Sequence, residues 1–401
     1  MRTEHPEVLV IGLGAMGSAT VYHLAKQGVK VIGIDQFTPP HVYGSSHGET
    51  RITRQAIGEG SQFVPLAMRS HQLWRELEAE SGQSLLTACG GLIMARHGSA
   101  SRMHEQRDFL GNTIRAAEAF GIAHEKLHAV AIASRFPQFM LQGDEVGYFE
   151  PGAGYLHPEE CVDAQLTMAG RYGADLRVGE TVQRIAKMPA QTIVETNRAR
   201  YAAKTTVVCA GPWIPQLLPQ MRGALTVRRQ VLYWFEQTAE SPRTLSYAPG
   251  DFPIFIWHWG EGEEDVFYGF PQIGGANAIK VATEQNTSST TPQTVNRDVG
   301  ENEISSMHAR HLDGKLRNVK LRCANAKTCL YTNAPGANFI IDFLPDASDM
   351  IVVSACSGHG FKHSAAIGEA VATMATTGKS PDVLLPFTMK PNQGCVEPAD
   401  H

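Results

Sequence analysis

The residues Gly12-Leu13-Gly14-Ala15-Met16-Gly17 follow an apolar run, Val8 to Ile11, and open a stretch with helical spacing. Glycines at such a turn let a phosphate approach the backbone, while the free N–H groups and positive end of the following helix attract its charge. The third glycine lets helix and strand pack closely. Asp35 ends the next apolar run, 23 residues after Gly12. A carboxylate there can accept hydrogen bonds from the ribose of a dinucleotide's adenosine half. Alone, the glycine pattern could also be a turn before a small-residue packing helix. Strand, helix, strand and terminal acid together point to a dinucleotide. They do not choose between nicotinamide and flavin dinucleotides.

Other candidates are weaker when read singly. Val207-Val208-Cys209-Ala210-Gly211, ahead of Pro212-Trp213, is either a buried strand with a tight turn or a strand that brings small residues to a cofactor. Cys89, Cys161, Cys209, Cys323, Cys329, Cys356 and Cys395 are odd in number and form no CxxC pair, so neither a disulfide framework nor a metal site is expected. Any one of them reads by default as a small buried apolar residue. No Ser-His-Asp or paired-carboxylate pattern stands out. A net charge of −5 with no basic run offers nothing to nucleic acid. No apolar run approaches the roughly 18 residues that would span a bilayer. The polar opening Met-Arg-Thr-Glu-His-Pro-Glu lacks the pattern of a secretory leader, so a cytoplasmic chain without a membrane partner is expected.

The elements that must position these residues fall into two lobes, as a length of 401 residues allows. Val8 to Ile11, Ala15 to Gln27 and Val29 to Asp35 read as strand, helix, strand. A long polar loop follows from Thr38 to Gly60, then an amphipathic helix from Pro65 to Ser81. A strand at Gly91 to Met94 precedes a helical stretch around Met103 to Phe120. From about Val227 to Lys320 aromatics alternate as in an antiparallel sheet. The tail returns to strand, Gly358-His359-Gly360 and a helix from Ser364 to Thr377. The expected class is α/β plus α+β: a Rossmann-like cofactor domain (1–84, 151–226 and 321–390), a mostly antiparallel second domain (85–150 and 227–320), and a C-terminal tail (391–401).

Four further stretches carry a family resemblance: Gly44-Ser45-Ser46-His47-Gly48-Glu49-Thr50-Arg51-Ile52-Thr53-Arg54, Cys329-Leu330-Tyr331-Thr332-Asn333, Phe339-Ile340-Ile341-Asp342 and Ser357-Gly358-His359-Gly360-Phe361-Lys362. With the N-terminal turn they resemble the monomeric sarcosine oxidase and N-methyl-L-tryptophan oxidase family, FAD-dependent enzymes of the D-amino-acid-oxidase-like fold. The resemblance covers nearly the whole chain. It implies a flavin joined through a methyl carbon of its ring to Cys329. It implies FAD contacts from Gly12, Gly14, Ala15, Met16, Gly17, Asp35, Ser45, Thr50, Arg51, Val182, Ala210, Gly211, Trp213, Gly358, His359, Gly360 and Lys362. Arg54 and Lys362 would hold a substrate carboxylate, which suits a guanidinium fork and an ammonium. Tyr331 and the position of Ile57 would face the substrate. His47 and Arg51 would shape the ring environment, and Lys280 would promote reaction with oxygen, because negative charge develops there.

The implied reaction is oxidation of an N-methyl amino acid to the amino acid, formaldehyde and hydrogen peroxide by a monomer. Oxidation of a cyclic secondary amino acid such as pipecolate or proline, or flavin binding without turnover, are the alternatives. Ser46 stands where the family commonly has histidine, Ile57 where it has tyrosine, Glu284 where sarcosine oxidase has histidine, and His363 where phenylalanine is usual. Trp257 and Trp259 are candidate pocket aromatics and equally plausible core residues.

Overall fold

The computed structural model describes residues 3–99, 101–188, 191–238, 245–275, 277–286 and 288–389. Ala276 and the expected tail 391–401 lie outside them. Val8–Ile11, Val31–Asp35 and Thr205–Val208 are β-branched runs, the first two buried along their length, as strands covered on both faces require. They form the centre of a six-stranded sheet in the spatial order Asp175–Val178, Val31–Asp35, Val8–Ile11, Thr205–Val208, Ala347–Ser354, Ile340–Leu344. All neighbours pair in parallel except the last two. The helix Ala15–Lys26 packs beside the helices Pro158–Arg171 and Ser364–Thr377. A Cβ on Gly368 would lie 2.4 Å from the Ala19 Cβ, so the two helices cross where neither side can be larger.

The second sheet has eight strands, ordered Val319–Asn333, Thr226–Gln237, Ala278–Ala282, Val266–Gly269, Ile254–His258, Gly91–Arg96, Glu145–Glu150, Glu125–His128. Pairing is antiparallel except between Ile254–His258 and Gly91–Arg96. Side chains alternate between its faces. Val231, Tyr233, Phe235, Phe255, Trp257, Ile279 and Val281 fill one apolar cluster on the outer face. Leu232, Ile256, Lys280 and Cys329 project to the other side, into the cavity described below. The expected division at 320/321 falls inside the strand Val319–Asn333, which pairs with Thr226–Gln237 over most of its length. Cys329 therefore sits on the large sheet and not on the dinucleotide-binding sheet.

Two expectations of local structure are corrected. The strand Arg51–Thr53 pairs with Gly154–Leu156, which also pairs with Leu86–Ala88, so the polar loop is tied into a three-stranded sheet. The stretch from Met103 is first a hairpin, Arg102–Met103 with Gln106–Arg107, and the helix begins only at Phe109. Asp108 ends the hairpin and caps that helix, accepting the Gly111 N–H at 3.2 Å.

Gly12 has φ +88°, a conformation favouring glycine, and a Cβ on Gly17 would stand 1.8 Å from the Gly12 carbonyl oxygen. Gly17→Ala is therefore expected to force the helix off the strand and to destabilise the chain by at least about 1–3 kcal/mol. Thermal unfolding of wild type and variant measures this; an unchanged midpoint would show that the turn has room the structure denies it.

Candidate active site

A continuous cavity of about 360 Å³ runs from the glycine turn to the inner face of the large sheet. At one end Gly12, Gly14, Ala15, Met16 and Asp35 line it, with Val182, Ala210, Gly211 and Trp213 opposite. Gly17 does not reach the cavity wall; its role is the close packing just described. Asp35 accepts the N–H groups of Leu13 and Phe37, both at 2.8 Å, which fixes the carboxylate at the end of its strand. Ser46 Oγ accepts the Ala15 N–H at 3.1 Å, so its hydroxyl steadies the helix start. The first turn of that helix carries no acidic residue to repel a phosphate. A second backbone cradle lies at Gly358-His359-Gly360, where a Cβ on Gly360 would fall 1.6 Å from the Ala355 oxygen. Two close glycine turns facing one elongated cavity fit a dinucleotide whose two halves are gripped by backbone.

The middle of the cavity is built by the loop Gly44 to Arg51. Arg51 donates to its own loop, at Ser45 O and Thr50 O (both 2.7 Å), and also reaches Cys329 Sγ at 3.6 Å. Ser45 donates to the Leu330 carbonyl, fastening the loop to the strand that carries Cys329. Glu159 accepts the Gly48 and Glu49 N–H groups at 2.6 and 3.1 Å. Burial pushes the Cys329 thiol above its ordinary pKa, and Arg51 and Lys280 pull it back only in part. Lys280 donates to Gly48 O, Thr50 O and Thr50 Oγ1 at 2.6, 2.9 and 3.0 Å, an acceptor for each hydrogen of an ammonium. Burial, with Arg51 adding, pushes its pKa well below the usual lysine value. His47 is buried behind this loop and does not line the cavity. Burial lowers it to about 3, so it is a neutral ring, and neither nitrogen has a hydrogen-bond partner among the described residues.

At the far end stand Arg54, Lys362 and Tyr331. Arg54 is 2 % exposed and its Nη2 donates to Glu59 Oε2 at 2.7 Å. Its Nη1 donates to Ala56 O, and its Nε has no partner among the described residues. Burial would raise the Glu59 carboxyl, but Arg54 and Lys362 outweigh it and hold it well below the carboxylate range. Lys362 donates to His359 O at 2.6 Å, and burial pushes its ammonium down to about 7. Tyr331 and Tyr268 meet hydroxyl to hydroxyl at 3.3 Å; burial raises both, so both remain phenols.

One expectation fails here. Ile57 is fully buried in the core and does not line the cavity, because the chain turns its side chain inward between Ala56 and Gly58. Trp257 packs against Phe139 and Phe267 on the outer face, and Trp259 bonds to His311; neither reaches the cavity. The aromatic wall is instead Tyr268 and Phe270, with Ile256 alongside. His363 lies behind Lys362 among Phe63, Phe339 and His359, fully buried, with neither ring nitrogen partnered among the described residues. The residues missed from the sequence are Glu59, His104 and Cys356, all on the cavity. Glu59 lies five residues after Arg54 between Gly58 and Gly60, a spacing that could have marked it. His104 had no such signal.

A family model described as FAD dependent oxidoreductase matches residues 7–374. The chain is 38% identical to a monomeric sarcosine oxidase of Streptomyces avermitilis over 93% of this chain and 94% of the relative. It is 31% identical to an N-methyl-L-tryptophan oxidase of Yersinia pestis over 96% and 98%. The solved structure of NikD, an unusual amino acid oxidase essential for nikkomycin biosynthesis, has the same fold, with a TM-score of 0.82 at 22% identity over 96% of this chain and 97% of that one. Among the described residues no helix is long and apolar enough to cross a membrane, and no cluster of metal-binding side chains is present.

Proposed function

The chain belongs to the FAD dependent oxidoreductase family, among relatives of the monomeric sarcosine and N-methyl-L-tryptophan oxidases, and from that premise we propose that it oxidises an N-methyl or other secondary amino acid with oxygen as acceptor. One observation carries this reading: a single cavity joins the glycine cradles, the Cys329 thiol, Lys280 and the Arg54–Lys362 pair. FAD, when bound, supplies the two-electron acceptor for the carbon–nitrogen bond. Gly12, Gly14, Asp35 and the turn at Gly358 would hold it, and Cys329 would tether it.

The chain's own work is positioning. Arg54 and Lys362 offer a substrate carboxylate a fork and an ammonium, provided Glu59 yields its place on Arg54. The Tyr268 and Tyr331 phenols offer hydrogen-bond donors on the cavity wall. Lys280 places a proton or a positive charge where oxygen must take up electrons. Anaerobic bleaching of the holoenzyme by sarcosine, N-methyl-L-tryptophan, Nα-methyl-L-lysine, pipecolate and proline, followed by peroxide detection in air, tests the reading. No bleaching by any of these would defeat it.

The state of Lys362 gives a pH dependence. Its ammonium is charged below about 7 and neutral above. An unreactive carboxylate such as glycolate is therefore expected to bind about tenfold more weakly at pH 8 than at pH 6, following the loss of charged Lys362. Lys362→Met should bind weakly at both values. Calorimetric titration measures both, and an affinity in wild type that does not change with pH would contradict the role.

A further inference from the structure

Glu284 sits two residues beyond the strand Ala278–Ala282, four residues after Lys280, on the wall of the cavity. Its side chain is 10 % exposed, and no lysine or arginine lies within 4.0 Å of it among the described residues. The groups facing it come from the hairpin: the His104 backbone N–H donates to Glu284 Oε2 at 3.1 Å, and His104 Nε2 stands 4.0 Å from Oε1. A carboxylate removed from water needs a compensating charge, and this one has no fixed cation beside it.

His104 is itself placed with some force. It and Glu105 form the hairpin tip at φ +50° and +64°, unusual for residues other than glycine. The hairpin is fastened outside the cavity by Arg102 to Glu263 at 2.7 Å and by the Gly336 N–H to Glu105 at 3.0 Å. Inside, His104 packs directly on Gly358, where a Cβ would meet its Nε2 at 2.6 Å. Its buried Nδ1 stands 3.2 Å from Glu59 Oε1, and Arg54 Nε on the same wall has no hydrogen-bond partner among the described residues. The far end of the cavity thus runs from Arg54 through Glu59 and the His104 ring to Glu284. A cationic anchor stands at one end, and at the other a carboxylate that has the His104 ring at 4.0 Å and no lysine or arginine beside it among the described residues.

Resting on the secondary-amino-acid reading above, we propose that Glu284, positioned by the His104 hairpin, is a specificity residue that takes a second positive charge on the substrate. The substrate class is then a basic secondary amino acid. Its carboxylate lies on Arg54 and Lys362, its reacting amine is neutral, and an ammonium or guanidinium at the end of its side chain reaches Glu284. A simple N-methyl amino acid leaves Glu284 without that partner.

Two near-isosteric pairs test this on the holoenzyme. Dissociation constants for L-lysine and L-norleucine come from anaerobic calorimetry, and kcat/KM from Nα-methyl-L-lysine and Nα-methyl-L-norleucine. The expected result is a preference of at least tenfold for the basic member of each pair in wild type, retained in Glu284→Asp and lost in Glu284→Gln. Because each ratio is taken within one preparation, partial loss of folded protein cancels. A residue that merely holds the hairpin would lower both members alike and leave the ratio unmoved. Equal binding of the pair in wild type, or a preference that survives Glu284→Gln, would overturn the assignment. If Nα-methyl-L-lysine and Nα-methyl-L-norleucine bleach the flavin equally well, the assignment of Glu284 fails alone. If no secondary amino acid does, the functional reading fails with it.

Discussion

Lys280→Met is expected to slow the oxygen-consuming half of the cycle by about 10²–10³, the usual effect of removing one preorganised donor from a buried site. Anaerobic bleaching by substrate should change far less. The reason is where the lysine sits: it lines the cavity while three oxygens of the loop Gly48 to Thr50 hold its Nζ in place. Charge develops on oxygen in that half of the cycle, and oxygen takes no part in the amine half. The same three bonds make a structural explanation testable. Methionine leaves buried acceptors unpaired, at a cost of about 1–3 kcal/mol, so thermal unfolding must accompany the kinetics. Lys280→Arg keeps a charged donor and should recover part of the oxygen rate. Equal loss in both halves would mean that Lys280 only holds the loop.

Cys329→Ser should abolish acid-stable colour. After acid precipitation the yellow of the wild type is expected to stay with the polypeptide and that of the variant to pass entirely into solution. Turnover should fall by at least about tenfold, a barrier change of roughly 1.4 kcal/mol, as the ring loses its tether. The thiol is buried, lies beside Arg51 at 3.6 Å and opens on the cavity. Cys356 lines the same cavity, so Cys356→Ser is the needed control, and its colour should remain attached. Colour lost from wild type, or retained in Cys329→Ser, would rule out attachment at Cys329.

The dinucleotide turn was legible in the sequence because the contacts that give it its strand, glycine, helix and acid pattern are local or one crossover away. Gly12 and Gly17 touch within one turn, and Asp35 reaches Leu13 across a strand pair whose apolar runs announce it. Alternation likewise made the aromatic stretch readable as a sheet. It did not say which face would meet the cofactor domain. Trp257 and Ile256 are neighbours in sequence, yet one packs outward and the other lines the cavity, since side chains change face at each residue.

Sequence alone determined the strand–turn–helix cradle, the two-sheet class and, through resemblance, Cys329, Lys280, Arg54 and Lys362 as the residues to watch. Only the tertiary structure decided their partners. Arg54 is held by Glu59, Ser46 serves the helix start, Ile57 turns into the core, and the His104 hairpin brings Glu284 under a wall of the cavity. The physical reason is separation along the chain. Glu284 and His104 are 180 residues apart and Lys280 and Thr50 are 230 apart. Such pairs form only when whole sheets pack, and no local propensity or spacing records which buried charge will find which partner.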